Sequence, residues 1–242
     1  MKKNKKNKKD TSPQIPQKPK IKNELNIIHR ELNEKQKEFL KIALDKNTKL
    51  IFVSGPAGTS KTFMSVLAAL ELMNQKKVSD LIYLRSAVES SDSKLGFLPG
   101  EAEEKMAPYI APLIDKLNEL LPKSDIDGLT KDKRISSIPI GFLRGLNWNA
   151  KVIIADECQN MTQKELITLI TRTGEFSKVF IIGDPDQPDI GSKSGFEKIK
   201  NVFSDDEDKK NGIYMFSFNE DDIVRSELVK YIIKKIKNIK NT

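Results

Sequence analysis

One cysteine and one histidine stand in the 242 residues. A lone thiol, Cys158, cannot close an intrachain disulfide and supplies too few thiolates for a zinc or iron–sulfur site. His29 sits in a helically patterned stretch with no partner histidine or cysteine, which favours a solvated or packed side chain over a metal ligand. No apolar run approaches the roughly 18 residues that cross a bilayer, and the N-terminus is lysine and asparagine with no apolar stretch behind it. Neither a membrane span nor a signal peptide is expected, and the expected location is cytoplasmic. An excess of charge is also missing from most of the chain. The net charge is +8, yet residues 1–22 hold nine lysines and one aspartate, so the rest balances at 33 basic and 33 acidic side chains. That basic tail has three prolines and almost no apolar residues, too little to offset the entropy of ordering, and is expected to be disordered. It suits either an arm for phosphate backbones or a solubilising leader. Residues 23–242 have the length of one α/β domain.

What is present is an alternation of strand and helix signals. The stretch Glu24 to Leu44 carries apolar residues at helical spacing, with Asn33 placed to cap a helix running to Leu44. "KLIFVSG" is a β-branched and aromatic run that ends in glycine, the pattern of a buried strand entering a turn, and "KTFMSVLAALELM" follows at helical period. Further strands are expected at 80–85, 151–157, 178–184 and 212–218, with helices at 163–171 and 224–236. Near-continuous apolar strands alternating with helices predict an α/β three-layer fold with a mostly parallel sheet. Residues 85–149, with "LGFLPG", Pro108, Pro112 and an amphipathic stretch from Tyr109 to Leu121, are expected to be a partly helical insertion. Trp148, just before a strand, is expected in the core rather than as a base-stacking platform.

Three motifs lie at the carboxyl ends of expected strands, where ligands bind in such folds. The first is "VSGPAGTSKT", Val53 to Thr62. A phosphate cradle needs backbone N–H groups, a helix N-terminus, a lysine for the outer phosphates and a hydroxyl for magnesium. Gly55, Gly58, Lys61 and Thr62 occupy those places, and Pro56, Ala57 and Thr59 complete the loop. Ser60 stands where the pattern G-x-x-x-x-G-K-[ST] has its last glycine. The most demanding turn is expected at Gly58, with Ser60 at the helix start in a conformation serine accepts, its hydroxyl able to bond nearby N–H groups or a phosphate oxygen. The second motif is "VIIADECQN". Asp156 is placed to hold magnesium and Glu157 to polarise a water, because phosphoryl transfer needs positioning and charge stabilisation more than covalent help. The third is "IIGDPDQPD". The amide of Gln187 suits sensing a γ-phosphate or an attacking water, while Asp-Pro-Asp equally suits a plain turn.

Together these residues resemble the PhoH-like family, P-loop ATPases related in their core to superfamily-one helicases. Over roughly residues 34–236, "AVESSDSKLGFLPGEAEEKMAPYIAPLID", "GFLRGLNWNAKVIIADECQN", "TRTGEFSKVFIIGDPDQPDI" and "DDIVRSELVKYII" are similar to family segments in the same order. The resemblance implies a RecA-like P-loop NTPase fold with ATP and Mg2+ as cofactors. It places Lys61 and Thr62 on phosphate and magnesium, Asp156 and Glu157 on metal and water, and Gln187 on the γ-phosphate. It implies that Gln36 in "LNEKQ" reads adenine, the alternative being one more polar residue on an exposed helix face. It gives Arg225 the position of an arginine finger presented by a neighbouring subunit, the alternative being an ion pair with Asp221 or Asp222. Three positions depart from the family pattern: Ser60 for glycine, Cys158 for alanine, and Leu146-Asn147 for Arg-Thr after Arg144-Gly145. The first and third bear on hydrolysis.

The chain has sequence for one RecA-like lobe, and the nuclease-like or RNA-binding domains of some relatives are not expected in it. The resemblance therefore implies a site completed by another protomer in a ring-shaped homo-oligomer, a hexamer in the family pattern. The expected function is an Mg-dependent ATPase acting on RNA or single-stranded nucleic acid, as a helicase or remodeller. The rival is a module that binds nucleotide without hydrolysing it and organises a nucleic-acid-bound assembly. A small-molecule kinase is disfavoured, because 85–149 offers only Arg134 and Arg144 after Arg85 for a lid over an acceptor.

Overall fold

Hydrophobic strands bounded by glycine and polar turns stack into one six-stranded sheet in the computed structural model, which describes residues 21, 23–86, 102–138, 140, 143, 148–203, 205–224, 228, 231, 232 and 235. The strands are β1 (Leu50–Ser54), β2 (Asp80–Arg85), β3 (Ile135–Ser137), β4 (Lys151–Asp156), β5 (Lys178–Gly183) and β6 (Ile213–Ser217). Their spatial order is β3-β2-β4-β5-β1-β6 and every pairing is parallel. The helices are α1 (Glu34–Leu44), α2 (Lys61–Asn74), α3 (Ala102–Leu120), α4 (Lys123–Lys131), α5 (Gln163–Ile170), α6 (Phe196–Lys200) and α7 (Asp206–Lys210).

Strand residues alternate between two cores, as a period of two requires. Ile51, Val53, Tyr83, Ile154 and Phe180 pack with α1, α2, α3 and α4 on one face. Phe52, Ile82, Ile153, Ile181 and Trp148 pack with α5 and α6 on the other. Both faces are covered, so β1 and β5 are buried along their whole length. Trp148 is 2 % exposed and belongs to the second core.

Local chemistry sets the helix starts. The Asn33 side chain accepts from the Gln36 N–H while the Gln36 side chain accepts from the Asn33 N–H, a reciprocal cap at the entry to α1. Thr162 and Glu165 repeat it at α5. The stretch read as an insertion contains two features its loose pattern hid. One continuous helix, α3, spans both Pro108 and Pro112; interior proline disfavours helix, but buried Leu113, Leu117 and Leu120 hold its second half against the core. Residues Ile135–Ser137 add an edge strand paired with β2, invisible beforehand because three residues with two serines carry no apolar run. The positions 144–147 and 87–101, and most of the expected helix 224–236 including Arg225, lie outside the described residues. No helix among the described residues is long and apolar enough to cross a membrane.

Candidate functional site

Parallel strands in register bring the ends of β1, β2, β4 and β5 to one edge, so residues far apart in sequence meet there. The loop 55–60 leaves β1 and turns into α2. Gly55 adopts φ 147°, and a side chain on it would stand 2.6 Å from the Phe218 carbonyl oxygen, so the chain leaving β6 excludes any Cβ at this point. Gly58 has φ 86°, as the turn was expected to demand. Ser60 does not follow expectation. It sits in the left-handed region at φ 63°, ψ 21°, and its side chain makes no capping hydrogen bond. The reversal from loop to helix falls on residue 60 as well as 58, so this serine holds a conformation that costs a non-glycine residue about 1 kcal/mol or more.

The loop is braced from within. Thr59 Oγ1 donates to the Pro56 carbonyl at 2.9 Å, and Lys61 Nζ donates to the carbonyls of Gly55 at 2.6 Å and Pro56 at 2.7 Å. Burial pushes the Lys61 ammonium below its ordinary pKa, and the carboxylates of Asp184, Asp156 and Glu157 oppose that shift.

Opposite the loop stands the end of β4. Thr62 Oγ1 donates to Asp156 Oδ2 at 2.9 Å, Tyr83 Oη donates to the same oxygen at 2.7 Å, and the Glu157 N–H donates to Asp156 Oδ1 at 3.0 Å. Burial and the Asp156 carboxylate push the Tyr83 phenol far above its ordinary pKa, so it stays a donor. Asp156 is thereby fixed beside Thr62, and this pair of oxygen ligands suits a hard cation such as Mg2+, which binds through one or two protein oxygens and leaves its other positions to phosphates and water. Among the described residues no group of three or more His, Cys, Asp or Glu could hold a metal by itself, so such a cation would arrive with phosphate oxygens.

Glu157 is held in the left-handed region at φ 55°, which swings it off the strand line. Its carboxylate accepts from Gln159 Nε2 at 2.6 Å and faces Arg85 Nη2 at 3.9 Å. The other end of the Gln159 amide accepts from the Asp184 N–H at 3.1 Å, so one buried side chain ties the acid after β4 to the end of β5. At that end Gln187 Nε2 donates to Asp184 Oδ2 at 3.0 Å and the Asp186 N–H donates to Asp184 Oδ1 at 3.1 Å. The Asp-Pro-Asp turn and a cleft-facing glutamine are therefore both present. Asn160 and Asp189 close the edge with a reciprocal pair at 2.7 and 2.8 Å.

The loop from Gly58 to Ser60, Lys61, Thr62, Asp156, Glu157, Gln159, Asp184, Gln187 and Asp189 line one cleft of about 780 Å3 that also includes Asn33, Gln36, Ala57 and Lys116. Gln36 is 7 % exposed, which removes its reading as an exposed polar position; it belongs to the α1 cap and to the cleft wall. Val224, the last described residue before Arg225, donates its N–H to the Gly58 carbonyl at 3.0 Å. Cys158 is buried beneath the site with its Sγ on the Ala155 carbonyl, and burial raises its pKa. His29 is exposed beside Glu71 at 3.6 Å. Sequence reasoning missed Tyr83 and Gln159. The second stood inside a quoted motif, whereas nothing local marks a strand tyrosine as a partner of Asp156.

A family model described as PhoH-like protein matches residues 28–237. The PhoH-like protein of Synechocystis sp. is 34 % identical over 210 residues, 86 % of this chain and 62 % of that one. The PhoH-like protein of Bacillus subtilis is 36 % identical over 201 residues, 82 % and 61 %. Protein PhoH of Escherichia coli K12 is 34 % identical over 200 residues, 81 % and 54 %. The chain thus spans about three fifths or less of the length of these relatives. Among solved structures, the large terminase from a thermophilic bacteriophage superposes with a TM-score of 0.53 at 12 % identity, covering 85 % of this chain and 50 % of that one. At that identity the likeness is one of fold, and it agrees with a parallel sheet carrying a phosphate loop after its β1. A P-loop NTPase fold, a family match across most of the length and three curated relatives above 30 % identity converge on one conclusion: the chain belongs to the PhoH-like protein family.

Proposed function

We propose that the chain is an Mg-dependent ATPase that acts on nucleic acid. The observation that carries the reading is the convergence of Lys61, the Thr62–Asp156 pair, Glu157 and Gln187 on one cleft beside the phosphate loop. The loop N–H groups and the α2 N-terminus cradle the phosphates, and Lys61 moves from the loop carbonyls to an outer phosphate oxygen. Thr62 and Asp156 would hold Mg2+, which when bound would neutralise charge on the phosphates. Glu157, fixed by Gln159 and Arg85, orients a water; its oxygen forms a bond to the γ-phosphorus as the bond to the bridging oxygen breaks, and the water proton passes through Glu157 to phosphate. Gln187 contacts the γ-phosphate or that water, and Gln36 lies on the cleft wall where a base edge would meet its amide.

Arg225 supplies a transition-state charge from a neighbouring protomer in a homo-oligomer, a hexamer by family pattern; light scattering with ATP and magnesium that shows only monomer at micromolar concentration would remove this part of the reading. The polymer is RNA or another single-stranded nucleic acid, with helicase or remodelling activity as the outcome. One observation favours a second reading, nucleotide binding without turnover: the strained Ser60 in place of glycine. Phosphate release by wild type, Ser60→Gly and Glu157→Gln, with and without RNA, separates them. Wild-type release above the Glu157→Gln background, raised by RNA, is expected. Release that appears only in Ser60→Gly supports the idle module.

A further inference from the structure

At the amino-terminal ends of the strands, the edge of the sheet away from the cleft, the turns 45–49, 75–79 and 173–178 wall a second groove of about 960 Å3. Five lysines and one acid, Glu175, line it. Two of the lysines are engaged: Lys77 Nζ donates to the Leu44 carbonyl at 3.0 Å, and Lys178 Nζ donates to the carbonyls of Ala43 and Asp45, answering the negative end of α1. Lys46, Lys49 and Lys76 are exposed and make no ion pair among the described residues.

A further feature points to a ligand. Phe176 is 72 % exposed and sits at φ 59°, a left-handed conformation unusual for a bulky residue, so the turn presents an aromatic face at the groove. Leu25, three residues beyond the basic stretch 1–22 in sequence, exchanges two hydrogen bonds with Asn74, at 2.8 and 3.0 Å, next to Gln75 of the groove.

We propose that this groove binds single-stranded nucleic acid, with Lys46, Lys49 and Lys76 on phosphates and Phe176 stacked on a base. The proposal rests on the nucleic-acid reading given above and assigns it a surface. Charge selects the occupant. The lysine tail would meet lysines in the groove, and a second copy docked face to face would set the same lysines against each other, whereas a polyanion engages tail and groove together. Lysines tracking a backbone beside an aromatic that stacks on bases is how sequence-tolerant single-strand sites work.

The test is fluorescence anisotropy of the full chain with a fluorescein-labelled oligouridylate between low and physiological salt. Replacing Lys46, Lys49 and Lys76 together by glutamine is expected to weaken binding at least tenfold and to lower the salt slope by about 2, at roughly 0.7 per phosphate contact. Phe176→Ala is expected to weaken it about fivefold or more with little change in slope. Both variants keep wild-type affinity for a fluorescent ATP analogue, which also verifies that they fold. Wild-type RNA affinity and slope in both variants would overturn the groove while leaving the nucleic-acid reading intact. Failure of the wild-type chain to bind the RNA at any salt would overturn both. Loss of RNA binding accompanied by a changed sedimentation coefficient in the absence of RNA would assign the groove to contact between copies and overturn the proposal.

Discussion

The two ends of the sheet differ in sign. Six carboxylates and three cations line the cleft after the strands, whereas five lysines and one glutamate line the groove before them. A bare polyanion is repelled from the first and drawn to the second. To accept phosphates the cleft would need its local device: N–H groups and a buried lysine on one side, and an Asp156–Thr62 pair suited to a divalent cation on the other. The ends resemble each other in strain. Of the six described non-glycine residues with positive φ, Ser60 and Glu157 stand in the cleft and Lys76, Ala150 and Phe176 in the groove. Such conformations persist where surrounding structure imposes them, and they collect at functional surfaces. Under the proposed function, the difference in charge would separate nucleotide chemistry from polymer binding on one small scaffold.

The sharpest way to break this separation is Glu157→Gln. ATP turnover should fall about a hundredfold or more, with nucleotide affinity and RNA affinity little changed, because the substitution removes a proton acceptor and keeps the shape. If RNA affinity falls as far as turnover, the two ends are one site. A smaller effect is expected from Ser60→Gly. Relief of the left-handed serine should raise unfolding stability by about 1 kcal/mol in denaturant titrations without touching RNA binding. A loss of stability would mean that the serine hydroxyl contributes more than its backbone costs.

A third prediction is a pH dependence at the groove. Burial, aided by the neighbouring Lys77 ammonium and opposed by Asp45, brings the Lys178 pKa down to about 8 from 10.5. Between those values the unfolded chain binds more protons than the folded one, so the Lys178 contribution to stability rises as pH increases from about 8 toward 10.5. Thermal melting of wild type against Lys178→Gln at about pH 7.5, below that window, and about pH 10, near its upper end, should show the difference moving in favour of wild type at the higher pH. A difference that moves the other way would mean that the charged ammonium on the α1 carbonyls outweighs its burial.

Five of the six strands were readable to within a residue at each end, because a buried parallel strand is a short apolar run bounded by turn residues and needs no distant information. The starts of α1 and α5 are equally local, since Asn33 with Gln36 and Thr162 with Glu165 complete their caps within four residues. β3 escaped because an edge strand of Ile-Ser-Ser has neither length nor pattern. In the site, the phosphate loop and the acidic pair were legible as motifs. Their mutual arrangement was not. Thr62 reaches Asp156 across β1 and β4, and Tyr83 joins them from β2, through contacts that exist only once the sheet is ordered β2-β4-β5-β1.

The sequence by itself determined the alternation of apolar strands and helices, the caps, the glycine turn at 58 and the separation of a basic tail from a neutral body. Each of these depends on neighbours a few residues away. The tertiary structure decided that residue 60 must be left-handed, that Gln159 spans from Glu157 to the end of β5, and that three turns from different parts of the chain pool their lysines in one groove. Those outcomes depend on which strand ends lie side by side, and strand order is settled by packing the two faces of the sheet, a property of the whole chain.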